Sequence, residues 1–289
     1  MTSDMAMPTA RVATGPTVAV ALGAGGARGL AHIVVLEALD ELGVRPIAIS
    51  GASMGAIVGA AYAAGIPAAE LRMHVLRMFR NRTQIIARLM KARVGRLSDF
   101  LVRLDSNPVL VDAELLLDFF WPNAVPDRFE ELQIPLTVVA TDYHGRCAAI
   151  FDSGPLAPAV AGSMALPGLI KPVEMNGLVL VDGGMVDPLP YRSLLSKADI
   201  VIACDVTGAA PNRQHTSPQP YETIIGAAQI VQHTISAEML KVDRPHILLR
   251  PTVENFRALD FFRAAQIFEA AHNVKDVIKR AFDKQLKRA

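Results

Sequence analysis

Twice near its start, the chain runs a short apolar segment into a glycine-rich turn and out into a helix-like stretch: TVAVALGAGGARGLAH (17–32) and RPIAISGASMGAIVGAAYAAG (45–65). A buried strand turning sharply into a helix is a βα unit, and parallel strands need such crossovers between them. Further apolar runs follow at PLTVVATD (135–142) and ADIVIACDV (198–206), with a shorter one at LVLVDGG (178–184). Strands of this kind, buried on both faces and alternating with helices, predict a three-layer α/β/α fold around a mainly parallel sheet. A hydrophobic fraction of 51% with only 6% aromatic residues suits helices packed on such a sheet. The first helix is expected from about Leu30 to Leu42. The second ends at Gly65, and Pro67 opens the next one.

At 289 residues, one core with a helical insertion is expected. Residues 1–16 read as a flexible tail, 17–208 as the main domain, and 209–289 as a C-terminal loop and helical segment packed on it. Residues 71–103 carry Arg72, Arg77, Arg80, Arg82, Arg88, Lys91, Arg93, Arg96 and Arg103 against one acid, Asp99. Two readings stay open there: a solvated helical insertion, or an amphipathic cap that meets an anionic membrane surface. The stretch GAAPNRQHTSPQP (208–220) reads as a linker, and residues 256–282 as one amphipathic helix covering the core. A net charge of +1 offers nothing to nucleic acid. The first sixteen residues lack the apolar centre of a secretion leader, and no apolar run is long enough to span a bilayer. A cytoplasmic protein is expected, with peripheral membrane contact as the second option. Two cysteines make no disulfide framework, and Cys204 reads as a small core residue.

The first glycine turn, Gly23-x-Gly25-Gly26-x-Arg28-Gly29, has the outline of a dinucleotide site. Such a site also needs an acid at the end of the second strand to hold the ribose. That strand ends instead in Gly51-Ala52-Ser53-Met54-Gly55, a G-x-S-x-G segment at a strand-to-helix junction. This is the form of a nucleophile elbow, with Ser53 at the tip and Gly51 and Gly55 giving clearance across the turn. The N–H groups around Gly25 and Gly26 then suit an oxyanion, because backbone amides approach a reacting atom only where side chains are absent. Arg28 either ties that loop down or adds positive potential.

A serine nucleophile needs a base. His32, His74, His144, His215, His233 and His272 fall on helices or in loops without a catalytic pattern. His246, opening HILLR, is the best histidine candidate, since α/β-hydrolases place theirs late in the chain. The stronger candidate is Asp182, which follows an apolar strand and precedes Gly183 and Gly184. Asp142, Asp187 and Asp205 read as turn and strand-end residues.

The set GAGGARG, GASMG and DGG, in this order, resembles the patatin-like phospholipase family in its bacterial branch. The likeness runs over about residues 17–208 and is loose from 209 onward. It implies a Ser–Asp dyad, with Ser53 as nucleophile, Asp182 as the group that takes its proton, and the glycine loop as oxyanion hole. DGG in place of DGA is an accepted variant of that family. The implied activity is hydrolysis of lipid acyl esters through an acyl-enzyme, with no cofactor and no metal. A lipid-binding or regulatory protein of the same fold is the alternative.

Overall fold

A computed structural model describes residues 15–80, 111–207 and 220–286. Its centre is one sheet built from β1 (Val18–Leu22), β2 (Ala48–Ala52), β3 (Leu136–Asp142), β4 (Cys147–Phe151), β5 (Val173–Met175), β6 (Leu178–Val181), β7 (Ile200–Cys204) and β8 (Ile247–Leu249). The strand order is β5-β6-β3-β2-β1-β7-β8, with β4 pairing β3. β1, β2, β3, β7 and β8 are mutually parallel, as the tandem βα units require. β4 and β6 run antiparallel to β3, and β5 antiparallel to β6.

The period-two alternation of the central strands explains how the two faces differ. On β1, Val18, Val20 and Leu22 point into the larger core, and on β7 Ile200, Ile202 and Cys204 join them. Helices α1 (Ala31–Glu41), α2 (Met54–Ala63) and α5 (Leu156–Ser163) pack on that side, with α3 (Ala68–Arg80), α4 (Ala113–Phe120), α7 (Ala264–Ala270) and α8 (Val274–Leu286) around them. Ala19, Ala21 and Ala203 face the other way, toward Leu189, Tyr191 and Leu194 and the end of α6 (Pro220–Val242). Small residues on this face let an irregular segment lie close to the sheet. The Tyr191 hydroxyl donates to the Asp243 carbonyl over 2.6 Å and anchors the segment to the residue after α6.

Strand β3 sets the geometry of the site. β4 occupies one of its edges, from Val138 to Asp142. The opposite edge is shared: β2 pairs with Leu136–Val139, while β6 pairs with Thr141 and Asp142 from the other direction. The ends of β2 and β6 therefore approach each other head-on across Ala140.

The first helix, expected from about Leu30 to Leu42, forms as Ala31–Glu41, after a 3-10 turn at Gly26–Leu30 where the loop still binds neighbouring backbone. One local expectation differs from what forms. Residues 256–282 are not one helix. Phe256 to Asp260 turn back on themselves, a 3-10 turn covers Phe261–Arg263, and α7 and α8 follow separately. The Asp260 carboxylate accepts from the Arg257 N–H and closes the turn that breaks the helical pattern. Of the basic stretch, Arg72, Arg77 and Arg80 lie on α3, while residues 81–103 fall outside the described residues, as do residues 1–14 and 208–219. Arg72 forks onto Glu37 of α1 and lies over the Phe268 ring, so this cation serves packing between helices.

Candidate active site

The end of β2 delivers Ser53 in a backbone conformation that L-residues rarely adopt, φ 55° and ψ −124°. Strain of this kind persists only where neighbours hold it. One restraint is Gly55, where a Cβ would run into the Leu22 carbonyl of β1. Another is Ser163, the last residue of α5. Its hydroxyl accepts from the Ser53 N–H at 2.8 Å and donates to the Val139 carbonyl at 2.6 Å, tying the elbow to β3. Beyond the elbow, Ser53 caps the start of α2, whose N-terminal dipole favours negative charge nearby.

From the opposite direction, β6 delivers Asp182. The Ser53 hydroxyl donates to Asp182 Oδ2 over 2.6 Å, joining residues 129 positions apart. The Gly184 N–H donates to Oδ1 over 2.8 Å, and the Thr141 hydroxyl holds the Asp182 carbonyl at 2.8 Å. Asp182 is 2% exposed, and burial pushes its carboxyl up to about 6, although the Ser53 and Gly184 hydrogen bonds pull the other way. Desolvation is the larger effect, and among the described residues no cation offsets it.

The glycine loop arches over this pair. Gly23 N–H donates to the Cys204 carbonyl, Ala24 N–H to Pro188 and Ala27 N–H to Ala258. Among the described residues, the N–H groups of Gly25 and Gly26 have no such partner, and both glycines line the same cavity as Ser53 and Asp182. Gly26 has φ 57°, and a Cβ there would run into the Ala258 carbonyl. Arg28 is buried and donates to the Thr207 carbonyl at 2.8 Å, so it ties the loop to the end of β7. His32, wholly buried, donates from Nε2 to the Gly23 carbonyl at 2.8 Å. Burial pushes its imidazole down to about 4, which makes it a neutral brace for the loop. Gly29 packs against Met54 of α2, Gly51 sits in β2 opposite Leu22, and Gly183 and Gly184 open the turn after β6.

The remaining candidates lie elsewhere. His246 precedes β8 at the opposite end of the sheet, where its Nδ1 accepts from the Val201 N–H at 3.0 Å. It therefore does not join the serine. His74 contacts the Phe120 carbonyl, His144 lies in the β3–β4 turn, and His215 falls outside the described residues. Asp205 accepts from Thr207 and Arg250, and Asp142 from the His144 N–H. Asp187 follows the Asp182 turn, its N–H bonded to the Gly183 carbonyl, and burial raises its carboxyl to about 6. Among the described residues no cluster of His, Cys, Asp or Glu suits a metal ion.

The dyad opens into a cavity of about 300 Å³. Its walls are Met54, Ile57, Leu116, Leu166, Leu169 and Ile170, with Phe79, Phe120, Phe261 and Phe262. The rings of Phe79 and Phe261 are stacked at 5.7 Å, and Phe262 meets Phe79 edge-on at 5.9 Å. This geometry suits attack on an ester whose long apolar part fills the cavity.

Residues 20–195, more than half of the chain, match the family model for patatin-like phospholipases. The chain belongs to the patatin-like phospholipase family. An uncharacterised NTE family protein of Mycobacterium tuberculosis is 38% identical over 69% of this chain and 51% of its own length. The lysophospholipase NTE1 of Saccharomyces cerevisiae is 25% identical over 90% of this chain and 16% of its own length. This patatin-like chain thus spans about half the length of the mycobacterial relative. Among solved structures, VipD from Legionella pneumophila overlays with a TM-score of 0.48 at 15% identity, covering 91% of this chain and 67% of that one.

Ser163, Thr141 and the aromatic wall escaped the sequence reading. For Ser163 one signal existed: it is the only polar residue in the apolar helix LAPAVAGS. Thr141 sits in an ordinary strand pattern, Phe79 falls within the basic stretch, and Phe262 within the run expected as one helix.

Proposed function

We propose that this chain is a serine acyl-ester hydrolase acting on lipid esters, with Ser53 as nucleophile and Asp182 as general base. The observation that carries this reading is the Ser53 Oγ–H···Asp182 Oδ2 hydrogen bond of 2.6 Å at the floor of an apolar cavity. Membership of the patatin-like family and a relative named as a lysophospholipase support the same chemistry.

Ser53 Oγ attacks the ester carbonyl carbon as its proton passes to Asp182. The carbonyl oxygen takes up negative charge facing the Gly25 and Gly26 N–H groups and the start of α2. Collapse breaks the bond to the alcohol, whose oxygen takes the proton from Asp182, and leaves an acyl ester on Ser53. Water then attacks that ester, giving its proton to Asp182. Collapse breaks the acyl–Oγ bond, Ser53 Oγ takes that proton back from Asp182, and the fatty acid leaves. A carboxyl of ordinary pKa is a weak base, and burial makes Asp182 a better one while leaving it ionised at neutral pH.

Among the described residues no helix is long and apolar enough to cross a membrane. Leu259 and Phe262 line the cavity yet remain 41% and 40% exposed, which favours lipid entering there directly from an aggregate or bilayer surface.

The test is hydrolysis of a chain-length series of p-nitrophenyl esters by wild type, Ser53→Ala and Asp182→Ala. Turnover by wild type and loss in both variants is expected. Lipid binding without turnover in the wild type establishes the binding-protein alternative instead. Turnover that survives Asp182→Ala removes the aspartate from the mechanism.

A further inference from the structure

Among the described residues, the cavity wall is hydrocarbon except at two places. One is the dyad with its glycine loop. The other is α6, where Gln229 and Gln232 both line the cavity. Three residues apart, they share one face of the helix.

Gln232 is 5% exposed. A Cβ on Gly184 would lie 2.5 Å from Gln232 Nε2 and 2.9 Å from Asp182 Oδ1, so the carboxamide sits beside the carboxylate. Gln229 is one turn away along the same wall. Its Nε2 is shielded from solvent and, among the described residues, has no hydrogen-bond partner. A buried donor left unpaired is costly, and a purely hydrocarbon ligand would keep it unpaired. A ligand with oxygen at this point would relieve the cost. A carboxamide has donor and acceptor edges, so it matches a hydroxyl in either orientation.

We propose that Gln229 and Gln232 are specificity-determining residues that read an oxygen substituent close to the scissile ester, so that acyl esters of a polyol are preferred to those of a plain alkanol. The proposal rests on the hydrolase reading of Ser53 and Asp182. The acyl chain occupies the aromatic part of the cavity, and the alcohol part lies along α6. This helix lies beyond the residues 20–195 that the family model matches, so the device belongs to the C-terminal part of the chain.

Two esters with one acyl chain test it: 1-decanoylglycerol and propyl decanoate, which differ by two hydroxyls. The readout is the ratio of their kcat/KM values in wild type, Gln229→Leu and Gln232→Leu, with thermal melting as the check on folding. Wild type is expected to favour the glycerol ester. Each leucine variant is expected to lower that ratio by about tenfold, the effect of removing a hydrogen bond to a substrate hydroxyl. A ratio that stays at the wild-type value in both variants overturns the proposal, even if both rates fall, because a merely structural role slows the two esters alike. A wild type with no preference for the glycerol ester also overturns it, while leaving the hydrolase reading intact. Failure of wild type to hydrolyse either ester overturns both.

Discussion

The proposed reaction centre and the cavity wall touch at Ser53, yet they are built in opposite ways. The centre consists of three short turns, each pinned by hydrogen bonds to neighbouring backbone. Ser53 is held by Ser163, Asp182 by Gly184 and Thr141, and the glycine loop by Cys204, Pro188 and Ala258. The wall is a set of side chains from α2, α3, α4, the 164–170 segment after α5, the 258–262 turn and α6, meeting through apolar and ring contacts. Directional bonds fix positions to a fraction of an ångström, whereas apolar packing fixes shape and tolerates exchange of similar volumes. Changes at the centre are therefore expected to alter rate, and changes in the wall to alter choice of substrate.

The largest effect expected is at the dyad itself. Ser53→Ala and Asp182→Ala should each lower kcat/KM by about 10⁴-fold or more, and the double variant should be no worse than either single one, since the two act as a unit. Additive losses, read by steady-state kinetics on one ester, would break the idea that they form a single device.

Next comes Ser163→Ala, which removes the hydroxyl that bridges the Ser53 N–H and the Val139 carbonyl. Loss of this brace should reduce kcat by about tenfold with little change in KM, the result of freeing one strained backbone position. A change confined to KM would assign Ser163 to the wall rather than the centre.

The pH profile sharpens the contrast further. In the proposed mechanism Asp182 must be ionised to take a proton, and burial lifts its carboxyl to about 6. The kcat/KM profile should rise tenfold per pH unit below that value and level off above it. The sign for stability is the reverse. The folded state binds this proton more tightly than the unfolded chain does, so stability falls as pH rises from about 4 through about 6. Asp182→Asn, which abolishes the buried charge, should stabilise the fold above pH 6 by on the order of 2 kcal/mol. That gain should vanish below about pH 4, as urea titrations across the range would show.

The smallest effect on rate is expected at the wall. Phe79→Ala opens space beside Phe120, Phe261 and Phe262 and should shift the preferred acyl chain toward greater length. Rates on short esters should change by only about twofold, because the pinned turns are untouched. A loss across all chain lengths would show that the ring cluster also supports the reaction centre.

Much of the centre was legible because its parts are local. A strand meeting a glycine turn and a helix is determined within a dozen residues by sterics and capping, which is why Gly25, Ser53 and Asp182 stood out. The two-faced burial of VAVAL and IVIAC was equally plain from their unbroken apolar runs. Histidine was a weaker guide: His246 looked plausible by position in the chain, but a residue preceding a parallel strand lies at the end of the sheet away from the turns. Nor did the amphipathic pattern of 256–282 reveal that its first part folds into a turn, because the apolar spacing of a cavity wall mimics that of a helix face.

What only the tertiary structure decided is the meeting of the parts. β2 and β6 share one edge of β3 from opposite directions, so their last residues converge across Ala140 and Ser53 reaches Asp182. Register between strands so far apart in the chain depends on how all their side chains pack, and no short window contains that information. The cavity follows the same rule. Phe79, Phe262 and Gln232 have ordinary local patterns, and they become one wall only because the turns and helices that carry them close around the elbow. Local sterics set the chemistry of each turn, and long-range packing set which turns face each other and what fits between them.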